Sequence, residues 1–241
     1  MKFQQLKWHC ADDSPHYVIE VSFDKVDISK AQEIANTKIS YINVHAPSGL
    51  KRSNEVIKNR IIAGKLADHG VQRLIQHRIA ELHLPCSITE YDATRVDDYK
   101  NPDPYDLLLT MPEGEQTIEV RSSFSYLLAP SRKIIEKLSV YGWYTSGNKP
   151  CETQRDWYWQ VVYYLRPRDI QLNNNSPVTG VFEDKIDQGE VTGYIVGGAT
   201  QQLLQTKGRS RKDQDGADYV AISPICSALD CISMLSAMLP R

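Results

Sequence analysis

Tyr105-Asp-Leu-Leu-Leu-Thr110 and Gln116-Thr-Ile-Glu-Val-Arg-Ser-Ser123, separated by Met-Pro-Glu-Gly-Glu, read as two β-strands joined by a turn. Leucine and β-branched residues fill both segments, and the proline and glycine between them supply the reversal. Side chains alternate across a strand, so Glu119 and Arg121 share one face while Ile118 and Val120 take the other. Asp106 opens the first strand. Two carboxylates and a cation converging on adjacent strands make a natural divalent-metal site, because hard cations take oxygen ligands.

Upstream, residues 54–82 carry a helical period. Ile57, Ile61, Gly64, Val71, Ile75, Ile79 and Leu82 form one apolar stripe, with Ser53 placed as the N-cap. Asp68 falls inside that stripe, within roughly 60° of each member at 100° per residue. A carboxylate facing a core needs a cation or metal to offset its desolvation. Gly64, one turn earlier, is expected to let another element approach closely. Lys58, Lys65, His69 and Arg73 form a polar, basic side, with His69 and His77 expected at the surface.

The remaining segments predict an α/β chain with a mixed central β-sheet flanked by helices. Strands are expected at 17–23, 39–44, 87–91, 157–165, 191–198 and 219–222. Short helices are expected at 129–138, capped by Ser131 or beginning near Pro130, and at 199–205. Loops are expected at 46–53 and 173–177, and a basic loop at 207–212. Residues 1–50 read as an N-terminal extension of uncertain structure, and residues 51–241 as the main domain closed by an apolar segment at 222–239.

Bulk properties narrow the class. A formal net charge of −2 over 241 residues excludes a uniformly basic DNA-coating protein, so nucleic acid would have to meet local basic patches. Cys10, Cys86, Cys151, Cys226 and Cys231 are odd in number and lack CxxC spacing, which favours free thiols in a reducing cytoplasm over disulfides or a zinc site. The first residues carry no apolar run of the signal-peptide kind, and no segment has the length of a membrane span.

The order of these features resembles the PD-(D/E)xK nuclease superfamily, the restriction-endonuclease-like fold, over residues 54–222. Asp106, Glu119 and Arg121 stand at its motif positions. Gly64-Lys-Leu-Ala-Asp68 is similar to the early helix motif Gly-x-x-Ala-Glu, and the strand and helix from Thr192 are similar to those of many restriction enzymes. The resemblance implies a Mg²⁺- or Mn²⁺-dependent endonuclease acting on double-stranded DNA, of the restriction or defence kind, and often working as a homodimer. It implies Asp106, Glu119 and the Val120 carbonyl as metal ligands, with Asp68 holding a second metal or positioning water. Two residues depart from the pattern: Arg121 replaces the usual lysine and Asp68 the commoner glutamate. Arginine cannot serve as a general base, which leaves it to orient water and offset charge. A nuclease-like module that has lost catalysis and binds nucleic acid or a protein is the alternative that Arg121 raises.

Other features are weighed against that site. Asp103, between Pro102 and Pro104, rivals Asp106 but lies on the loop. Residues 90–119 hold nine acids against Arg95 and Lys100, while residues 51–83 carry a net +4. An acidic pocket beside basic flanks suits a metal and a phosphate backbone, although Asp92, Asp97 and Asp98 read equally well as solvated turns. Trp157, Tyr158, Trp159, Tyr163 and Tyr164 read as core rather than as a base-stacking platform. Gln160 is a candidate polar site residue. The glycines at 193, 197 and 198 lack any phosphate-loop context, and no histidine, serine or cysteine has a recognisable catalytic setting.

Overall fold

The computed structural model describes residues 1–45, 49, 51–97, 99, 101, 103–125, 132–145, 151–165, 181–212 and 217–240. The caps expected at Pro130 and Ser131, the turn at 173–177 and Asp98 lie outside the described residues, as do residues 46–48 and 50 of the loop expected at 46–53. A mixed seven-stranded sheet flanked by helices makes the architecture α/β. From edge to edge run β1 (Lys2–His9), β2 (Pro15–Ser22), β8 (Val191–Thr200), β7 (Trp157–Leu165), β5 (Gly114–Ser125), β4 (Leu107–Met111) and β3 (Ser87–Glu90). Strands β5 and β7 are parallel, and every other neighbouring pair is antiparallel. A parallel pair needs a crossover. This one carries α3 (Arg132–Lys137) and β6 (Val140–Tyr144).

β7 is buried along nearly its whole length, as expected of a central strand covered on both faces. Trp157, Trp159, Val161 and Tyr163 enter one core with α1 (Lys25–Lys38), α2 (Asn54–Glu81), α4 (Phe182–Asp187) and α6 (Cys231–Met238). Tyr158 and Val162 enter the other, with α3, β6 and α5 (Gln201–Lys207). A second, three-stranded sheet, β6-β10-β9, pairs β6 with β10 (Asp218–Ile222) and β10 with β9 (Arg209–Lys212) on that second side. The strand aromatics are therefore core, with Tyr164 half-buried.

The elements within residues 2–38 share the same sheet and core as the rest. β2 pairs with β8 through Ile19, Glu20 and Val21, and Ala31 and Ala35 of α1 are fully buried beneath α2. Asp24 caps α1 in a reciprocal capping box with Asp27. The strand expected at 39–44 is instead a 3₁₀ turn, Ile39–Tyr41, which continues directly from α1. The basic loop expected at 207–212 is in part β9, whose four residues are all exposed. The apolar segment at the C-terminal end folds back as α6, and Cys231, Met234, Leu235 and Met238 cap the first core. Among the described residues no helix is long and apolar enough to cross a membrane.

Candidate active site at a strand fork

The hairpin predicted from residues 105–123 forms with Leu107 opposite Ile118 and Met111 opposite Gly114. Its two strands part at Asp106. β5 runs on beside β7 to Ser125, whereas β4 goes no further back than Leu107. Asp106 spans the gap. Its backbone N–H donates to Ile118 O at 3.1 Å, and its Oδ2 accepts the Val120 N–H at 2.7 Å. A strand residue turns its N–H and C=O toward the same edge, so the Val120 carbonyl also faces this fork. Asp106 is half-buried immediately before β4, whereas Asp103 pairs with Lys38 at 2.5 Å and Arg95 at 2.6 Å.

Glu119, next along β5, is buried, with Arg121 Nη1 3.3 Å from its Oε1 and Arg155 Nε 3.8 Å from its Oε2. Arg121 is pinned from three directions: by Glu119, by a close ion pair with Glu152, and by the Tyr219 ring centred 5.4 Å away. Gln160, fully buried on β7, donates to the Arg121 carbonyl and to Ser123 Oγ, and accepts the Tyr141 N–H. It therefore locks the register of β5 and β6 around Arg121. Glu152 and Arg155 had no sequence signal, since they lie in an irregular segment between β6 and β7.

α2 supplies the third carboxylate. Ser53 caps it through the Val56 N–H, and Asp68 is buried on its inward face. Lys65, expected on the polar side, is buried too. Its Nζ lies 2.7 Å from Asp68, 3.0 Å from Glu90 and 2.6 Å from Asp92. His69, expected at the surface, is half-buried with Nε2 3.0 Å from Glu90. Asp92 also meets Lys38 and Arg95, and Arg95 holds Asp97 at 2.7 Å, so these acids form a pinned ion network rather than a solvated turn. Gly64 does not mark a close approach: a Cβ built there meets nothing within 4 Å.

Electrostatics separates these acids into two groups. Burial pushes Glu90 and Asp92 upward, but Lys65 together with His69, Lys38 and Arg95 outweighs it and holds both below the usual range. Burial pushes Asp68 up to about 7 despite Lys65, because Glu90 and Glu119 add repulsion. Asp106 is likewise pushed up to about 7 by desolvation and by Asp68, and Glu119 to about 8 by burial and by Asp106. The fork thus gathers negative charge beyond what its cations offset, the condition under which a bound cation is most favourable. These three acids do not form one tight cage. The group of three His, Cys, Asp or Glu side chains with ligand atoms within 4.8 Å of one another is Cys10, His16 and Cys226, among the described residues. Asp106, Glu119 and the Val120 carbonyl remain a donor set of the kind Mg²⁺ takes, one or two carboxylates with water completing the shell. Asp68 is held by Lys65 at 2.7 Å.

A cleft of about 390 Å³ opens along β5 beyond the fork, from Val120 to Phe124. Arg60, Arg121 and Lys137 bring positive charge to its walls, and Ser122, Ser139 and Tyr219 bring hydroxyls. Arg121 joins the two regions, since it both pairs with Glu119 and lines the cleft.

No family model matches this chain, and no solved structure matches it. It is 22% identical over 236 residues to an uncharacterized protein of Methanocaldococcus jannaschii, an alignment covering 92% of this chain and 85% of that relative.

Proposed function

We propose that the chain is a metal-dependent endonuclease that hydrolyses DNA phosphodiester bonds at the fork between β4 and β5. One observation carries the reading. Asp106 and Glu119, both with acidities weakened by desolvation and by a neighbouring carboxylate, stand at the parting of two strands beside a cleft lined with cations and hydroxyls. Asp106, Glu119 and the Val120 carbonyl would hold Mg²⁺ or Mn²⁺. Bound there, the cation would supply Lewis acidity toward the scissile phosphate and lower the pKa of water.

The chain's own residues do the rest. Arg121, fixed by Glu119, Glu152 and Tyr219, cannot accept a proton and instead presents a rigid cation to the phosphate. Lys65 neutralises part of the charge on Asp68, Glu90 and Asp92, so that helix α2 can bury its acid next to Asp106. Arg60 and Lys137 on the cleft walls favour a polyanionic backbone.

The test is digestion of plasmid and genomic DNA, methylated and unmethylated, with and without Mg²⁺ or Mn²⁺. Divalent-dependent cutting that disappears in both Asp106→Asn and Glu119→Gln supports the reading, and cutting undiminished in those variants overturns it. The pairing of Arg121 to Glu119 favours a second reading, a nuclease-like binding module. Metal-independent DNA binding without cleavage on any substrate would select that one.

A further inference from the structure

On the far side of the sheet from α2, three side chains that no spacing rule connects come together. Cys10 follows β1, His16 lies in β2, and Cys226 sits in the 3₁₀ turn Ile225–Ser227 that follows β10. Their ligand atoms all lie within 4.8 Å of one another. Cys10 and His16 are buried and Cys226 is half-buried. Each arm is anchored. Cys10 N–H donates to Ser14 O across the turn, while the Ile225 N–H donates to Leu138 O.

The imidazole is oriented by the sheet. The β7–β8 pairing skips a residue, from Gln160 opposite Gly197 to Val161 opposite Ile195, so Val196 bulges. A bulge re-aims the backbone, and here the Val196 carbonyl meets His16 Nε2 at 2.8 Å. A carbonyl only accepts, so Nε2 carries the hydrogen and Nδ1 is the nitrogen left for a ligand. A backbone carbonyl fixing the far nitrogen is the usual support of a metal-ligating histidine.

We propose that Cys10, His16 and Cys226 form a binding site for one zinc-class cation, separate from the acidic fork. Two sulfurs and one imidazole are the ligands such a cation takes, in contrast to the oxygen ligands at Asp106 and Glu119. Binding would release two protons: each thiol gives up one as its sulfur bonds to the cation, and no oxidation or reduction occurs. In a tetrahedral zinc site the ligand atoms stand about 3.5 Å apart, so atoms now within 4.8 Å need to close by about 1.3 Å at most. Such a site ties the β1–β2 hairpin to a turn more than two hundred residues away and clamps one end of the second core, where Trp8, Cys10 and Ile225 pack.

The test is to add Co²⁺ to the full chain, purified without oxygen and stripped of metal, and to record the near-ultraviolet and visible spectrum. One equivalent with intense thiolate-to-cobalt absorption, displaced by one equivalent of Zn²⁺, is expected. The band should survive in Asp106→Asn and vanish in Cys226→Ser, with circular dichroism on the variant checking that its fold is kept. Absence of the band with both thiols reduced overturns the site. So does recovery of Cys10 and Cys226 as a disulfide from anaerobically purified protein, which would make the pair a redox couple instead. Because the readout is the cobalt–sulfur band, it stands or falls independently of DNA cleavage.

Discussion

Asp106 Oδ2 accepts the Val120 N–H at 2.7 Å, which makes one carboxylate both the brace of the strand fork and its most central charge. The two roles separate in Asp106→Asn. An amide oxygen still accepts from Val120, so the brace persists, while repulsion with Asp68 and Glu119 is removed. The variant is expected to unfold at a temperature equal to or above that of the parent and to cut DNA at least about 10²-fold more slowly, the scale for losing one preorganised electrostatic contact. Thermal unfolding alongside plasmid nicking rates checks both halves. A destabilised variant that still cuts would contradict each.

Lys65 is one buried cation shared by Asp68, Glu90 and Asp92. Lys65→Met leaves those acids without it, and removing one partner of a buried pair typically destabilises by about 3–5 kcal/mol. Urea unfolding is expected to register a loss of that order. Adding Asp68→Asn should recover part of it, because one orphaned charge disappears with it. If the double variant is no more stable than Lys65→Met alone, Asp68 is not the partner that matters.

The hairpin, α2 and its inward Asp68 were legible because they rest on local rules: period two, period 3.6 and a capping serine. Lys65 was not. The helical wheel set it on a polar flank, and its burial depends on where β3 and the following loop bring Glu90 and Asp92. Glu152 and Arg155 lie on irregular chain, where no periodicity reports on contact. The same reason hid the cysteine–histidine cluster, whose members come from the two ends of the chain and meet only through sheet order. Residues 39–44 misled because a β-branched, aromatic stretch also suits a 3₁₀ turn that continues a helix.

Gly64 offers a direct test of what the missing side chain does. A Cβ there meets nothing within 4 Å, so Gly64→Ala introduces no clash and removes backbone entropy from the unfolded chain. Stability is expected to rise by about 0.5–1 kcal/mol, the usual advantage of alanine inside a helix. A loss of stability in chemical denaturation would mean that another element does approach α2 closely at this point.

Asp68 and Asp106 at about 7 and Glu119 at about 8 also dictate a pH dependence. Unfolded carboxyls release their protons near pH 4, so between roughly pH 4 and 8 the folded chain holds more protons than the unfolded one. Stability from these groups is therefore complete below about pH 4 and declines as pH rises through 7 to 8. A divalent cation competes with those protons and compensates the ionised forms. Its protection should accordingly be larger at pH 8.5 than at pH 6. Melting temperatures with and without Mn²⁺, compared between the parent and Asp106→Asn/Glu119→Gln, isolate the effect from other titrations. Equal Mn²⁺ shifts at the two pH values, or an undiminished shift in the double variant, would place cation binding somewhere other than the fork.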